Sequence, residues 1–290
     1  MPKVFINGIH IHYQQTGEGA DVVLIHGVAS NLALWHRDFV PSLAKQFRVM
    51  TYDLRGHGYS DTPPDHYTSA DMAADLKGLL EHLGISQACL IGHSFGGLVA
   101  LHYALLNPAS VTKLVLVDTG VPAVEPERKG IPVFEAWRRG LQRLGTFIPE
   151  EKQDDMNYLI TETRKLRLSS GIPQKALPKI EKLMYQLEET SLIEDCRGEA
   201  GLTLDKIVKV NVPVLLCYGE RSPAMATCRY LESHLPSCHS VIIQDAGHLH
   251  LLTHPQRLLI HLKRFLLQVR QECQEVNTSS LNPQLQSQMV

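Results

Sequence analysis

The chain of 290 residues carries 28 Lys and Arg against 30 Asp and Glu, a net charge of −2, so it lacks the basic excess that wraps nucleic acid or holds an anionic membrane. Its 44% hydrophobic and 20% charged residues are those of an ordinary globular protein and exclude disordered, collagen-like and coiled-coil chains. No apolar run nears the ~18 residues of a spanning helix, the opening MPKVFINGIHIHYQQ has no secretory pattern and the six cysteines form no C-x-x-C pair; the expectation is a cytoplasmic protein with no integral membrane segment, disulfide framework or metal.

In chain order, Val4–Ile6 and Ile9–Tyr13 flank the turn signal Asn7-Gly8 and predict an opening hairpin. Short runs rich in Val, Ile and Leu follow at Val22–Ile25, Arg48–Tyr52, Ala88–Ile91, Leu114–Val117, Val214–Tyr218 and Ser240–Ile243. Ala70–Leu83, Phe95–Leu106 and Leu258–Gln268 have apolar residues at three- and four-residue spacing and predict helices between and after them. This alternation predicts an α/β fold, an eight-stranded mostly parallel sheet flanked by helices, with the last six strands parallel. From Pro122 to Thr203 strand-like runs vanish, and amphipathic pieces such as Val133–Leu144 and Pro178–Leu187 predict a helical lid inserted after the sixth strand. The expected organisation is a core over 1–121 and 204–273, the lid over 122–203, and a disordered polar tail over 274–290.

The sharpest local signal is Gly92-His93-Ser94-Phe95-Gly96-Gly97, a G-x-S-x-G sequence that leaves one apolar strand and opens a helix. A serine in so tight a turn needs glycine two residues before and after, and the helix N-terminus favours negative charge beside its hydroxyl. Ser94 is therefore the expected nucleophile. The Val28 N–H, after His26-Gly27 at the end of an earlier strand, and the Phe95 N–H would form an oxyanion hole. His26 is foremost a hydrogen-bonding residue that fixes its loop, with contact to substrate as its other assignment. The stretch Tyr52-Asp53-Leu54-Arg55-Gly56-His57-Gly58-Tyr59-Ser60 reads as a structural turn held by an internal Asp–Arg pair. A serine needs a base, and His248 lies on the loop leaving the last strand, with His250 and His254 further along as rivals.

In these four ordered motifs, and over about Val4 to Leu267, the sequence resembles the α/β-hydrolase fold family in its lid-bearing, esterase-like branch. The resemblance implies a lid over a pocket above the nucleophile. It also implies a carboxylate after the seventh strand, where this chain has Tyr218-Gly219-Glu220-Arg221-Ser222-Pro223 with Ser222 at the expected position. Two replacements stand open: Asp118, at the exit of the sixth strand as in haloalkane dehalogenases, and Glu220, two residues from the usual place. A third alternative is a site with no acid.

The serine excludes the dehalogenase and epoxide-hydrolase branches, which carry Asp at that turn. The expected activity is hydrolysis of a carboxylic ester of a small, largely apolar substrate through an acyl-enzyme on Ser94, with no cofactor. Thioester hydrolysis, acyl transfer and carbon–carbon bond hydrolysis use the same parts. A catalytically weak binding protein on this fold is the alternative from another class. Trp35, shortly after the oxyanion loop, and Trp137, from the insert, are the expected substrate-facing aromatics.

Overall fold

The computed structural model describes residues 2–126, 138, 140–143, 145–153, 155–168 and 177–279. Its strands are β1 (Lys3–Ile6), β2 (Ile9–Thr16), β3 (Ala20–Ile25), β4 (Phe47–Tyr52), β5 (Ala88–His93), β6 (Val111–Val117), β7 (Val214–Gly219) and β8 (Cys238–Ile243). They form one sheet in the order β1-β2-β4-β3-β5-β6-β7-β8. The first two strands are antiparallel to their neighbours and β3 through β8 are parallel, as the alternating pattern predicted.

Side chains of successive strand residues point to opposite faces, and the core divides accordingly. Val23, Ile25, Leu90, Leu114, Leu116 and Leu216 face one layer, packed with α3 (Ser69–His82), α4 (Phe95–Leu106) and α9 (Met225–His234). Val22, Leu24, Ile91, Val115, Val117 and Leu215 face the other layer. That layer is built from α1 (Ala33–His36), α2 (Phe39–Leu43), α10 (His250–Thr253) and α11 (Pro255–Ser279). A capping box starts α3: Thr68 accepts the Asp71 N–H while Asp71 accepts the Thr68 N–H. No helix among the described residues is long and apolar enough to cross a membrane.

Between β6 and β7 the described residues form α5 (Met156–Leu168), α6 (Leu177–Glu188) and α7 (Leu192–Asp195), with α8 (Leu204–Ile207) leading into β7. The predicted helix Pro178–Leu187 is α6, whereas most of Val133–Leu144 lies outside the described residues. This connection rests on the loop after β4. Lys182 Nζ donates to Gly58 O at 2.8 Å and Gln186 Nε2 to Gly56 O at 2.6 Å. The Tyr67 N–H reaches Asp195 Oδ2 at 2.8 Å. The tail expected over 274–290 falls partly on the end of α11, and 280–290 lie outside the described residues.

Candidate active site

Ser94 joins β5 to α4 with φ 54° and ψ −122°, a left-handed backbone that L residues adopt only under constraint. The constraint is visible in its glycines. A Cβ on Gly92 would stand 2.3 Å from Gly96 O, and one on Gly96 would stand 2.4 Å from His26 O. A Cβ on Gly97 would strike the Thr119 hydroxyl, and one on Gly27 would come within 3.0 Å of Ser94 Cβ. The turn thus folds against the ends of β3 and β6. Ser94 N–H donates to Val117 O at 2.9 Å, which sets the serine beside the residue that leaves β6.

That residue is Asp118, fully buried and itself at φ 50°. His248 Nδ1–H donates to its Oδ1 at 2.8 Å, across 130 positions of sequence. Gly219 N–H reaches Oδ2 at 3.0 Å and Ser222 Oγ–H reaches Oδ1 at 2.6 Å. Burial pushes the Asp118 carboxyl upward, but the hydrogen bond and charge of His248, then Gly219 and Ser222, outweigh it and hold the group at about 2. With Nδ1–H spent on Asp118, Nε2 is the ring nitrogen left to exchange a proton.

The loop holding His248 is fastened from both sides. His93 Nε2–H donates to the His248 carbonyl at 3.2 Å, with ring centroids 5.0 Å apart. Burial, then the neighbouring His248, drives His93 down to about 3, so it stays neutral as that donor. Glu220, the alternative acid, is exposed and its Oε2 accepts the Asp245 N–H at 2.9 Å. It holds the backbone ahead of His248 rather than the ring. His250, a rival base, is buried beside Asp118, with Nε2–H donating to Cys217 O at 3.1 Å and 3.7 Å from Asp118 Oδ2.

The Gly27–Ala29 loop is held by two buried histidines. His26 Nδ1–H donates to Gly27 O at 2.8 Å while Nε2 accepts the Leu54 N–H at 3.1 Å. Both ring nitrogens are thus occupied within the protein, and the residue is fully buried. His57 Nε2 accepts the Ala29 N–H at 3.1 Å. Burial lowers His26 to about 4 and, with His26 alongside, His57 to about 3, so both keep the lone pairs these bonds require. Val28 is carried between these anchors, and Phe95 opens α4 with one of the leading N–H groups that have no intrahelical acceptor.

Two expectations are corrected here. Asp53 and Arg55 do not pair with each other. Asp53 takes His12 Nδ1–H at 2.7 Å, the Leu32 N–H at 2.8 Å and the Tyr59 N–H at 2.9 Å. Arg55 makes a two-pronged contact with Asp75 at 2.6 and 2.7 Å. Trp35 is fully buried in the layer under the sheet, edge-on to Phe39 at 5.1 Å, and does not face the site. A buried guanidinium needs a carboxylate placed for a two-pronged contact, which Asp75 on α3 supplies and Asp53 does not, and a large apolar ring gains more from that layer than from a polar loop. Trp137 lies outside the described residues. The bond from Ser222 to Asp118 was missed. Its only sequence signal is a hydroxyl standing where the resemblance expects a carboxylate.

The family model for the alpha/beta hydrolase fold matches residues 22–255. A pimeloyl-[acyl-carrier protein] methyl ester esterase of Aeromonas hydrophila is 28% identical over 269 residues, covering 88% of this chain and 99% of that protein. A soluble epoxide hydrolase of Corynebacterium sp. (strain C12) is 39% identical, but over 40% of this chain and 40% of its own length. Among solved structures, a thermophilic esterase of Thermogutta terrifontis superposes with a TM-score of 0.67 at 26% identity, covering 93% of this chain and 99% of that one. The matched segment holds Ser94, Asp118 and His248 together with β3 through β8, and the chain belongs to the α/β-hydrolase fold family.

Proposed function

We propose that this protein is a serine hydrolase that cleaves a carboxylic ester of a small, largely apolar substrate through an acyl-enzyme on Ser94, with His248 as base and Asp118 as acid. The observation that carries the reading is the 2.8 Å contact of His248 Nδ1 with a buried, ionised Asp118 beside a serine held at φ 54°. His248 Nε2 takes the Ser94 proton as Oγ attacks the carbonyl carbon, and Asp118 stabilises the imidazolium that forms. The N–H groups of Val28 and Phe95 hold the oxyanion, a contribution of about a hundredfold or more per donor in such sites. The imidazolium returns its proton to the leaving alcohol. Water, deprotonated by the same nitrogen, then attacks the acyl group and releases the acid and free Ser94.

The esterase among the relatives supports the ester class. The epoxide hydrolase resemblance supports the scaffold, since its branch of the family uses Asp where this chain has Ser94. The helices between β6 and β7 are proposed to cover the site as its lid, supported by the bonds of Lys182 and Gln186 to the loop that anchors Ala29 through His57. The binding-protein alternative drew on Ser222 standing in an acid position, and the contact of Asp118 with His248 favours an enzyme instead.

A pre-steady-state assay with p-nitrophenyl butyrate tests the reading. A burst of p-nitrophenolate of about one equivalent per chain, absent in Ser94→Ala, is the expected outcome. Folded wild-type protein with neither burst nor turnover on p-nitrophenyl esters, acyl thioesters or activated diketones would overturn it.

A further inference from the structure

Two donors converge on one oxygen of Asp118: His248 Nδ1–H at 2.8 Å and Ser222 Oγ–H at 2.6 Å from Oδ1. Ser222 has little freedom to turn away. It is buried, its Oγ accepts the Ala224 N–H at 2.9 Å, and its own N–H closes a turn on Gly219 O at 2.9 Å. With the acceptor side of the hydroxyl engaged, its single proton is directed at Asp118. Donors that share a carboxylate oxygen share its negative charge, so each weakens the other's hold.

We propose that Ser222 is a positioning residue that acts through Asp118, fixing the carboxylate and drawing off part of its charge so that His248 releases its proton more readily than it would beside an unshared carboxylate. This rests on the reading of Ser94, His248 and Asp118 as one catalytic unit. Without Ser222 Oγ–H, Asp118 Oδ1 becomes a stronger partner for the imidazolium, and the base stays protonated to higher pH.

The other titratable groups packed around the pair are His93 from β5, Tyr218 from β7, Cys228 from α9 and His250 from α10. Burial drives His93 down to about 3, raises Tyr218 and pushes Cys228 up to about 12, so these three stay uncharged across the neutral range, and burial also lowers His250 from its ordinary value. His250 faces Asp118 Oδ2 at 3.7 Å rather than the Oδ1 that Ser222 and His248 share, so a change in pH profile on altering Ser222 reports on the Asp118–His248 pair.

The test is the rate of Ser94 labelling by a fluorophosphonate, followed from about pH 5 to 9 in wild type, Ser222→Ala, Ser222→Cys and Ser222→Thr. In Ser222→Ala the acidic limb is expected to move to higher pH by about half a unit or more. Ser222→Cys, close in size but a weaker donor, moves it part of the way and guards against an alanine variant that fails to fold. Ser222→Thr keeps the hydroxyl and retains the wild-type limb. A limb that stays in place in the alanine and cysteine variants, with only thermal stability lowered, means that Ser222 merely closes its turn, and the proposal falls. A threonine variant shifted as far as alanine also overturns it. Wild-type protein that never labels at Ser94 overturns the catalytic reading itself, a result distinct from either.

Discussion

A buried carboxylate stays ionised only when enough donors replace the water it has lost. Asp118 accepts three hydrogen bonds, from His248, Gly219 and Ser222, which is why it is held at about 2 despite complete burial. Asp118→Asn removes that charge, and turnover on p-nitrophenyl butyrate is expected to fall by about four orders of magnitude while circular dichroism stays native. Glu220→Gln, which touches only the Asp245 N–H, is expected to leave kcat/KM within about threefold of wild type. The depressed carboxyl also sets a stability trend. Because its folded value lies below the ordinary aspartate value of 3.8, the stability it adds is present above about pH 4 and is lost as pH falls toward 2. Urea unfolding of wild type and Asp118→Asn should therefore converge as pH drops from 4 to 2, and a constant difference between them would count against an ionised Asp118. Ser94 and His248 were legible in the sequence because a strand-to-turn step and a position at a strand exit mark each of them. The acid was narrowed to Asp118, Glu220 or none and no further, because nothing within ten residues of Asp118 records a partner 130 positions away. Asp53 and Arg55 were misread for the same reason: nearness in sequence suggested a pair, while their partners, His12 and Asp75, come from other elements.

At the scale of elements, the site is where strand ends meet. Among the described non-glycine residues with positive φ, Ala29, Ser94, Asp118 and Asp245 all lie just past strands or on loops facing the same edge of the sheet. Strain at several exits persists only where the surrounding packing over-determines it. Gly96→Ala would place a Cβ 2.4 Å from His26 O and 2.5 Å from Ile25 O, both backbone atoms that cannot give way. It is expected to lower the melting temperature by several degrees and to slow Ser94 labelling, because the elbow and the oxyanion loop must separate. The approach of Ser222 Oγ to Asp118 Oδ1 at 2.6 Å allows a second prediction. In the double variant Asp118→Asn/Ser222→Asp a carboxylate returns beside His248 from the exit of β7. Its kcat/KM should exceed that of Asp118→Asn alone by at least about tenfold, and equal values would show that the acid works only from β6. The strands, their parallel run from β3 onward and α4 were legible because period-two and continuous apolar runs separate cleanly from helical spacing, whereas the order of the strands in the sheet leaves no such signal. The ends were less so: β2 runs to Thr16 rather than Tyr13, since its outer half pairs with β4 through polar residues that carry no apolar signal.

Across the whole molecule, the connection between β6 and β7 contacts the loop after β4. Gln186 and Lys182 of α6 donate to Gly56 and Gly58, the same loop contributes His57 to the Ala29 N–H, and Asp53 holds the Leu32 N–H. These bonds form a continuous chain of contacts from α6 to the Gly27–Ala29 loop. Composition revealed that this segment is helical and inserted, but not where it docks, because its contacts are side chains on backbone carbonyls that leave no pattern in either segment. Ser94 as an activated nucleophile supported by His248 and Asp118 predicts a covalent adduct at a single residue. The most direct measurement is intact-mass and peptide mass spectrometry after treatment with a fluorophosphonate. One adduct per chain, located on Ser94, abolished in Ser94→Ala and formed far more slowly in Asp118→Asn, is the predicted result. An unlabelled wild-type protein with native circular dichroism, or an adduct on another residue that persists in Ser94→Ala, would contradict it.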